Sequence, residues 1–339
     1  MILSPPILLA GTSVAFIVVY NNVHYSAFQR KIDDNTLKGK AMQQSEIKKT
    51  DVSPKGARWK NSAVVVTTMA AAFCVGAALP ASAEDAPGSA IHGFMDLSLK
   101  TDYITPRGLL VHDDGEALQV VNGLVVGITP DVSVVVGTWN DVNLNNQHDP
   151  NVEAWNEFDW FIGANWNVGN WALGLQYVEF ISPPHNFTTE KNAELTVAYN
   201  DGTPGGTFAW KPYAKWFYAI SGDSTVVLGK RGGTYDVELG LVPTWNVGDF
   251  IVTFPSWVTV GPDEYWGGDN GNVGVASLGV NVKYPLGIPQ RFGKWYVDAG
   301  VQYYHLVNDS LVDVQTLTVG KSSGDRNLVL GSIGIGFGF

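Results

Sequence analysis

The sequence predicts an all-β protein: a transmembrane antiparallel up-and-down β-barrel of about twelve strands, preceded by a cleaved signal peptide. Three observations carry this prediction. An apolar segment ends in a small-residue cleavage box, the residues after it alternate between apolar and polar in short segments, and the chain ends on an amphipathic stretch with a terminal Phe. Segments of about ten alternating residues, separated by turn residues, are typical of strands that cross an outer membrane.

The segment 58–83 has the order of a secretory signal peptide. Two basic residues are followed by an apolar core, which ends in the small-x-small box Ala81-Ser82-Ala83. This order predicts export and cleavage near Ala83. A membrane-spanning helix is the alternative, but the apolar run stops at Pro80 and no basic cluster follows it.

Residues 1–57 precede this signal, although a secretory signal normally begins within a few residues of the initiator. We interpret them as residues that precede the natural start of the protein, because translation was assigned to begin too far upstream. Met42 is a candidate for the natural start. The alternative is a real extension anchored by its first apolar run. Residues 84–339 are the predicted barrel domain.

Composition narrows the classes of partner and chemistry. Residues 1–83 contribute nine basic and four acidic residues to a net charge of −11, so residues 84–339 carry about −16. Such an acidic chain is a poor partner for nucleic acid and favours cations. The single cysteine, Cys74, lies in the predicted signal, so the mature chain has neither a disulfide framework nor a thiolate metal site.

Alternating segments long enough to cross a bilayer as tilted strands recur along the mature chain. The twelve predicted strands are 91–103, 116–128, 132–140, 156–167, 170–181, 192–200, 208–220, 232–244, 249–260, 271–284, 293–307 and 326–339. The links between them alternate between short and long, which is typical of barrels with short periplasmic turns and long outer loops. A soluble β-sandwich is the alternative, but it does not need strands of this length.

Charged residues share one parity within the predicted strands. In the segment 232–244, for example, Tyr235 and Leu239 alternate with Asp236 and Glu238. A charge that faces lipid at the bilayer midplane costs about 2–4 kcal/mol, so this parity directs the charged side chains to a lumen. The predicted pore-lining residues are Asp96, Lys100, Glu157, Asp159, Glu194, Lys211, Lys215, Asp236, Glu238, Asn281, Lys283, Asp298 and Gln302.

The closing segment 326–339 places Ile333, Ile335, Phe337 and Phe339 on one face. The opposite face holds small residues after Leu330, as expected for a strand between lipid and lumen. The terminal aromatic pair, Phe337 and Phe339, resembles the assembly signal of bacterial outer-membrane proteins. The expected partners are therefore outer-membrane lipids including lipopolysaccharide, the outer-membrane assembly machinery, and small solutes or ions.

Several motifs in the first half of the mature chain occur in a recognisable order. They are Thr101-Asp102-Tyr103-Ile104-Thr105-Pro106-Arg107-Gly108, Glu116-Ala117-Leu118-Gln119, Gly137-Thr138-Trp139, Glu157-Phe158-Asp159-Trp160-Phe161-Ile162-Gly163 and Asn192-Ala193-Glu194-Leu195. This series resembles the landmarks of the TorF-type porin family of bacterial outer-membrane barrels. The resemblance implies a channel-like barrel and supplies no substrate.

Asp102 and Arg107 flank the first predicted outer loop. One interpretation is that the two side chains pair across the mouth and hold the loop against the wall. The alternative is that Arg107 forms part of a pore constriction, where a fixed charge selects ions.

These features predict a porin-like channel for passive diffusion of small solutes or ions, with selectivity set by the charge of the lumen. The alternatives are a non-conducting structural or adhesion barrel, since twelve strands leave a narrow interior, and a barrel lipase. No His stands beside a Ser-Asn pair, and the carboxylate pairs such as Glu157 with Asp159 are successive wall positions, so we predict no enzyme activity. We predict no cofactor and no metal site.

Overall fold

The computed structural model describes residues 91–113, 115–145, 154–203, 206–222, 232–268 and 271–339. The predicted signal peptide and the segment before it lie outside these residues. The strands are β1 (Ile91–Lys100), β2 (Tyr103–Ile104), β3 (Leu110–His112), β4 (Ala117–Gly127), β5 (Val132–Asn143), β6 (Trp155–Val168), β7 (Trp171–Ile181), β8 (Glu190–Tyr199), β9 (Phe208–Ala209), β10 (Pro212–Ser221), β11 (Thr234–Leu241), β12 (Thr244–Val247), β13 (Phe250–Thr253), β14 (Ser256–Val260), β15 (Val273–Pro285), β16 (Lys294–Leu306) and β17 (Asn327–Gly338). The helices are α1 (Asp263–Trp266), α2 (Asp309–Asp313), α3 (Gln315–Thr318) and the 3₁₀-helix Gln290–Phe292.

The strands form a closed antiparallel barrel. The sheet runs β14-β11-β10-β8-β7-β6-β5-β4-β1-β17-β16-β15, and a further pairing of β14 with β15 joins its two ends. The short strands β9, β12 and β13 continue β10, β11 and β14, so the wall has twelve strand positions. The predicted twelve-stranded barrel is confirmed. Closure matters physically because it leaves no strand edge with unpaired backbone groups.

Three neighbouring wall strands are interrupted where proline replaces a backbone donor. Pro212, Pro243 and Pro255 stand at or beside the breaks, and a proline cannot donate to the sheet ladder. At the first break Lys211 has a positive φ of 49°. The carboxylate of Asp201 accepts hydrogen bonds from the backbone N–H groups of Lys211 and Trp210, at 2.9 and 3.1 Å. These bonds lower the pKa of Asp201 and fix the bend.

The alternation of the sequence separates two surfaces of the wall. On β11, the side chains of Tyr235 and Leu239 are 44% and 48% exposed, whereas Asp236 and Glu238 are 0% and 2% exposed. On β15, the apolar Leu278 is 59% exposed on the outer face. The outer face of the barrel is therefore mostly apolar, and most of the charged residues of the strands lie inside.

Glycines on the inner face make room for large side chains from neighbouring strands. A Cβ atom on Gly336 would overlap the ring of Tyr296, and one on Gly240 would overlap the ring of Tyr213. The same relation holds for the pairs Gly123 with Phe94, Gly137 with Phe161, Gly334 with Asp298 and Gly279 with Gln302. These lumenal side chains lie flat against the wall over a neighbouring glycine, which reduces crowding in a narrow barrel.

The last strand closes the wall against the first. Gly93 and Phe339 exchange two backbone hydrogen bonds, of 3.1 and 3.0 Å, and the ring of Phe339 covers Gly93. Phe337 stacks on Trp295 with ring centroids 4.7 Å apart. The apolar face predicted for this strand is present, while Leu328 and Leu330 point inward and are buried.

The strand bounds differ from the prediction mainly at the outer end. The first strand ends at Lys100 instead of residue 103, because Tyr103 leaves the wall and pairs with His112 in a small separate sheet. The predicted outer loop that begins at Ile104 is in fact folded into the barrel.

Replacement of Gly336 by Ala tests the glycine recesses. The added methyl group must displace the Tyr296 ring, and overpacking of this kind costs about 1–3 kcal/mol. We expect Gly336→Ala to lower the free energy of unfolding by that amount in urea titrations of protein in lipid vesicles. The matched control is Gly287→Ala, where no atom lies within 4 Å of the new Cβ. Equal stability of the two variants would contradict the packing described above.

Candidate functional site

The first long connection of the barrel folds into the lumen instead of away from it. We call residues 101–112 the inner segment; it contains β2 and β3 and turns between Thr105 and Gly108, where φ reaches 89°. The N–H of Gly108 donates to the carbonyl of Thr105 at 2.9 Å. Arg107 and Leu110 are only 5% and 1% exposed. The segment is thus part of the interior of the barrel.

Polar contacts attach the inner segment to several wall strands. The hydroxyl of Tyr103 donates to Glu157 on β6 at 2.7 Å, and the Nε of Arg107 donates to Asp236 on β11 at 3.2 Å. The Nε2 of His112 lies 3.2 Å from the carboxylate of Asp141 on β5. The indole of Trp257 on β14 donates to the carbonyl of Pro106 at 3.0 Å. Because these strands stand on different sides of the wall, the segment crosses the lumen.

Apolar packing completes the attachment at the outer end. Ile104 and Leu110 belong to a buried cluster with side chains from α1, α2 and the strands β14 to β17. Its other members are Trp257, Tyr265, Trp266, Val275, Tyr304, Leu306, Leu311, Leu328 and Leu330. The outer half of the lumen therefore has an apolar core on one side, in contrast to the charged residues on the other.

Six carboxylates face the lumen on β6, β8 and β11, and we call them the acidic wall: Glu157, Asp159, Glu190, Glu194, Asp236 and Glu238. Each is buried. Asn192 donates to Glu190 at 2.8 Å, and Tyr213 donates to Glu238 at 2.7 Å. The nearest basic groups are Lys215, which attracts Glu194, and Arg107. The acidic wall holds more carboxylates than these two cations can balance.

A second lumenal group combines acids and bases on β1, β15 and β16. Tyr296 donates to Asp96 at 2.6 Å, and Asn281 donates to Asp298 at 2.8 Å. The ammonium of Lys283 lies 3.8 Å from the centre of the Tyr296 ring. Lys100 is buried near Asp96, Asp298 and Asp141. Charges of opposite sign compensate one another here.

The structure places most of the predicted pore-lining residues on the inner face of the wall. They are Asp96, Lys100, Glu157, Asp159, Glu194, Lys215, Asp236, Glu238, Asn281, Lys283, Asp298 and Gln302. Gln302 is fully buried and donates to Ser277 at 2.6 Å. Lys211 differs, since it occupies the break between β9 and β10 and is partly exposed. A role of these residues in permeation belongs to our proposal below.

The pairing interpreted for Asp102 and Arg107 is not the one observed. Asp102 accepts a hydrogen bond from the hydroxyl of Thr101 at 2.6 Å, while Arg107 bonds to Asp236 on the opposite side of the lumen. The inward turn carries the guanidinium away from the mouth, which separates the two side chains. Burial raises the pKa of Asp102, an effect that the Thr101 hydrogen bond partly offsets.

Sequence reasoning missed several contributors to the site. Tyr103, His112 and Tyr213 supply hydrogen bonds to wall carboxylates, and Trp257 holds the inner segment. Tyr213 could have been found, because it shares lumenal parity with Lys215. The others could not, since the contacts of the inner segment depend on which way it folds.

A lysine of the last long loop connects that loop to Asp113, the residue that follows the inner segment. Lys321 lies 2.9 Å from Asp113 and 2.8 Å from Asp325. Burial opposes the charged form, but the bonds to Asp325 and Asp113 dominate and raise the pKa of Lys321. In the same loop Arg326 bonds to Asp309 and to the carbonyl of Leu306. These contacts fix the loop over the mouth.

One carboxylate faces outward. Glu179 on β7 accepts hydrogen bonds from the indole of Trp160 at 3.1 Å and the hydroxyl of Tyr177 at 2.6 Å, and Lys191 lies 3.7 Å away. It lies two residues from the outer end of its strand. The aromatic donors satisfy this charge close to the edge of the apolar band, where the cost of a lipid-facing charge is smaller.

No group of three or more His, Cys, Asp or Glu side chains among the described residues is placed to hold a metal ion. None of the helices described is both long and apolar enough to cross a membrane.

Comparisons with known proteins concern the barrel only. No family model and no curated protein matches the sequence. An outer membrane channel from Pseudomonas putida F1 is 12% identical, covers 77% of this chain and 99% of its own, and has a TM-score of 0.43. The NanC porin is 9% identical over 72% of this chain and 98% of its own, also at 0.43. The translocator domain of the autotransporter NalP from Neisseria meningitidis is 12% identical over 75% and 90%, at 0.39.

Similarity at this level identifies no family and assigns no function to this chain. The resemblance to the TorF-type porins therefore stays a prediction. What the structure defines is a class: a closed twelve-stranded antiparallel barrel with an apolar outer face and a charged interior.

Removal of the Tyr103 hydroxyl tests the attachment of the inner segment. Tyr103→Phe takes away the donor at Glu157, and a buried acceptor that loses its partner costs about 1–3 kcal/mol. We expect the free energy of unfolding in vesicles to fall by this amount. Tyr235→Phe, on the outer face, is the matched control and is expected to change little. Equal effects of the two substitutions would show that the inner segment is not held through Glu157.

Proposed function

We propose that this protein is a bacterial outer-membrane channel for passive diffusion of small solutes or ions, with selectivity set by the charge of its lumen. The observation that carries the proposal is the separation of faces: large apolar side chains cover the outside of a closed barrel, while buried carboxylates and lysines line the inside. Such a wall presents an apolar outer surface to lipid and a polar inner surface to permeating solutes.

The proposed location rests on the same arrangement and on the predicted signal peptide. Aromatic residues such as Trp166, Trp171, Trp210 and Trp245 are exposed near strand ends, which suits the interface between lipid and water. In this setting the partners are outer-membrane lipids and lipopolysaccharide, and the terminal Phe339 is the signal for the assembly machinery. After cleavage near Ala83, residues 84–339 form the membrane domain.

The proposed selectivity is a mild preference for cations. Among the described residues, Lys215 and Arg107 are the cations nearest to the six carboxylates of the acidic wall, whereas the group around Asp96 and Lys283 combines charges of both signs. In a narrow lumen with low-dielectric walls, an excess of fixed negative charge raises the local concentration of cations and excludes anions.

A non-conducting barrel is the second candidate, and one observation favours it. Arg107 and Leu110 are almost inaccessible, and the apolar cluster fills one side of the outer half of the lumen. Conduction then requires a path beside the inner segment or its displacement. Catalysis is not part of either candidate.

Reversal potentials in planar bilayers test the proposal. We expect purified protein in a salt gradient to give a small conductance with cation selectivity, and Glu194→Gln together with Glu238→Gln to reduce that selectivity, because both substitutions remove carboxylates of the acidic wall. Glu179→Gln is the control, since it removes the same charge from the outer face. Anion selectivity of the unmodified protein would contradict the proposal, and absence of conductance would favour the non-conducting barrel.

A further inference from the structure

The guanidinium of Arg107 occupies a built cation site inside the barrel. Its carbon atom lies 3.8 Å from the centre of the Phe217 ring and 5.9 Å from that of Phe180. Its Nε bonds to Asp236, whose carboxylate Tyr265 also hydrogen-bonds. An aromatic face beneath a planar cation and a carboxylate at its edge are the two elements that recognise guanidinium groups.

The surrounding charges strengthen this site. Glu190 and Glu194 also attract Arg107, in addition to Asp236; they lie on β8, which β10 separates from β11. All of these carboxylates are buried, so solvent screens their attraction weakly. The site combines a phenyl face with an excess of negative charge, and this combination suits an organic cation better than an anion or a neutral solute.

The side chain of Arg107 leaves some polar atoms of this site without a hydrogen bond. Within the described residues, the Nη2 of Arg107, the Oδ2 of Asp236 and the Oε2 of Glu238 are buried without a hydrogen-bond partner. Arg107 approaches Asp236 through Nε alone, at 3.2 Å, whereas a carboxylate and a guanidinium can form two parallel bonds.

We infer that the pocket around Phe217 and Asp236 is a binding site for small organic cations that carry a guanidinium, and that Arg107 occupies it in their absence. The inference deepens the proposed function and rests on it for the route by which such a solute arrives. A free guanidinium has no tether, so it can bond to both oxygens of Asp236 while it stacks on Phe217. Solute and Arg107 exclude one another, so binding releases one of the contacts that hold the inner segment in the lumen.

Inorganic cations fit the pocket less well. A metal ion requires several oxygen ligands converging on one point, and no such group of carboxylates is present among the described residues. The phenyl ring of Phe217 offers no ligand atom at all. The class of ligand is therefore set by stacking and paired hydrogen bonds together, and not by negative charge alone.

Titration of a vacated site tests the inference. Arg107→Ala protein in detergent is titrated with methylguanidinium by calorimetry, alongside the unmodified protein. We expect the variant to bind at least about tenfold more tightly, because the competing side chain is gone and a charge-assisted bond becomes available. Methylurea, which is neutral and similar in shape, is expected to bind neither protein. The double variant Arg107→Ala/Asp236→Asn is expected to lose the binding.

Other outcomes separate this inference from the proposed function. Equal binding of methylguanidinium to the Arg107→Ala and unmodified proteins, or no binding to a folded variant, would overturn it. If Arg107→Ala fails to assemble, Arg107→Lys is used in its place. The lysine side chain is shorter and stacks less on Phe217, so we expect its affinity for methylguanidinium to lie between the affinities expected for the unmodified protein and for Arg107→Ala. If methylguanidinium binds but the protein does not conduct in planar bilayers, the binding site is supported and the proposed channel is contradicted. If the protein conducts but methylguanidinium does not bind, the channel is supported and the binding site is contradicted.

Discussion

The structure depends on one constraint: in a wall of β-strands, every strand must form backbone hydrogen bonds with a neighbour on both edges. Each strand then has one face toward the outside of the barrel and one toward the lumen. Pairing of β17 with β1 and of β14 with β15 closes the wall. Once closed, strict alternation sends each residue outward or inward. The apolar residues then cover the outside, and most of the charged residues of the strands lie in the lumen.

A twelve-stranded barrel is narrow, so its lumenal charges lie close together and out of bulk water. Buried carboxylates are costly unless hydrogen bonds or cations satisfy them. Here tyrosine hydroxyls donate to Glu157, Glu238 and Asp96, and the inner segment brings Arg107 to Asp236. The same segment contributes apolar side chains to the outer half of the lumen. It therefore stabilises the interior and narrows the outer half of the lumen.

The sequence predicted the parts of this architecture that follow from periodicity. Strand number, the inward parity of residues such as Asp236 and Lys283, and the apolar face of the last strand all come from a two-residue repeat, which is a local property. The direction taken by the first connection is not local. Its composition resembles that of an exposed loop, and only the contacts of Tyr103, Arg107 and Leu110 with distant strands determine that it turns inward. For this reason the sequence singles out Arg107 but does not indicate that its partner is Asp236.

Accessibility of the lumen from outside tests the account most directly, and the absence of cysteine from residues 84–339 makes the measurement clean. Ser98 is buried on the inner face of β1, and Ser322 is exposed in the last long loop. With an impermeant maleimide added to whole cells, Ser322→Cys should be labelled rapidly and Ser98→Cys should remain unlabelled, because Ser98 is 0% exposed. Rapid labelling of Ser98→Cys from outside would contradict a lumen that the inner segment narrows at its outer half.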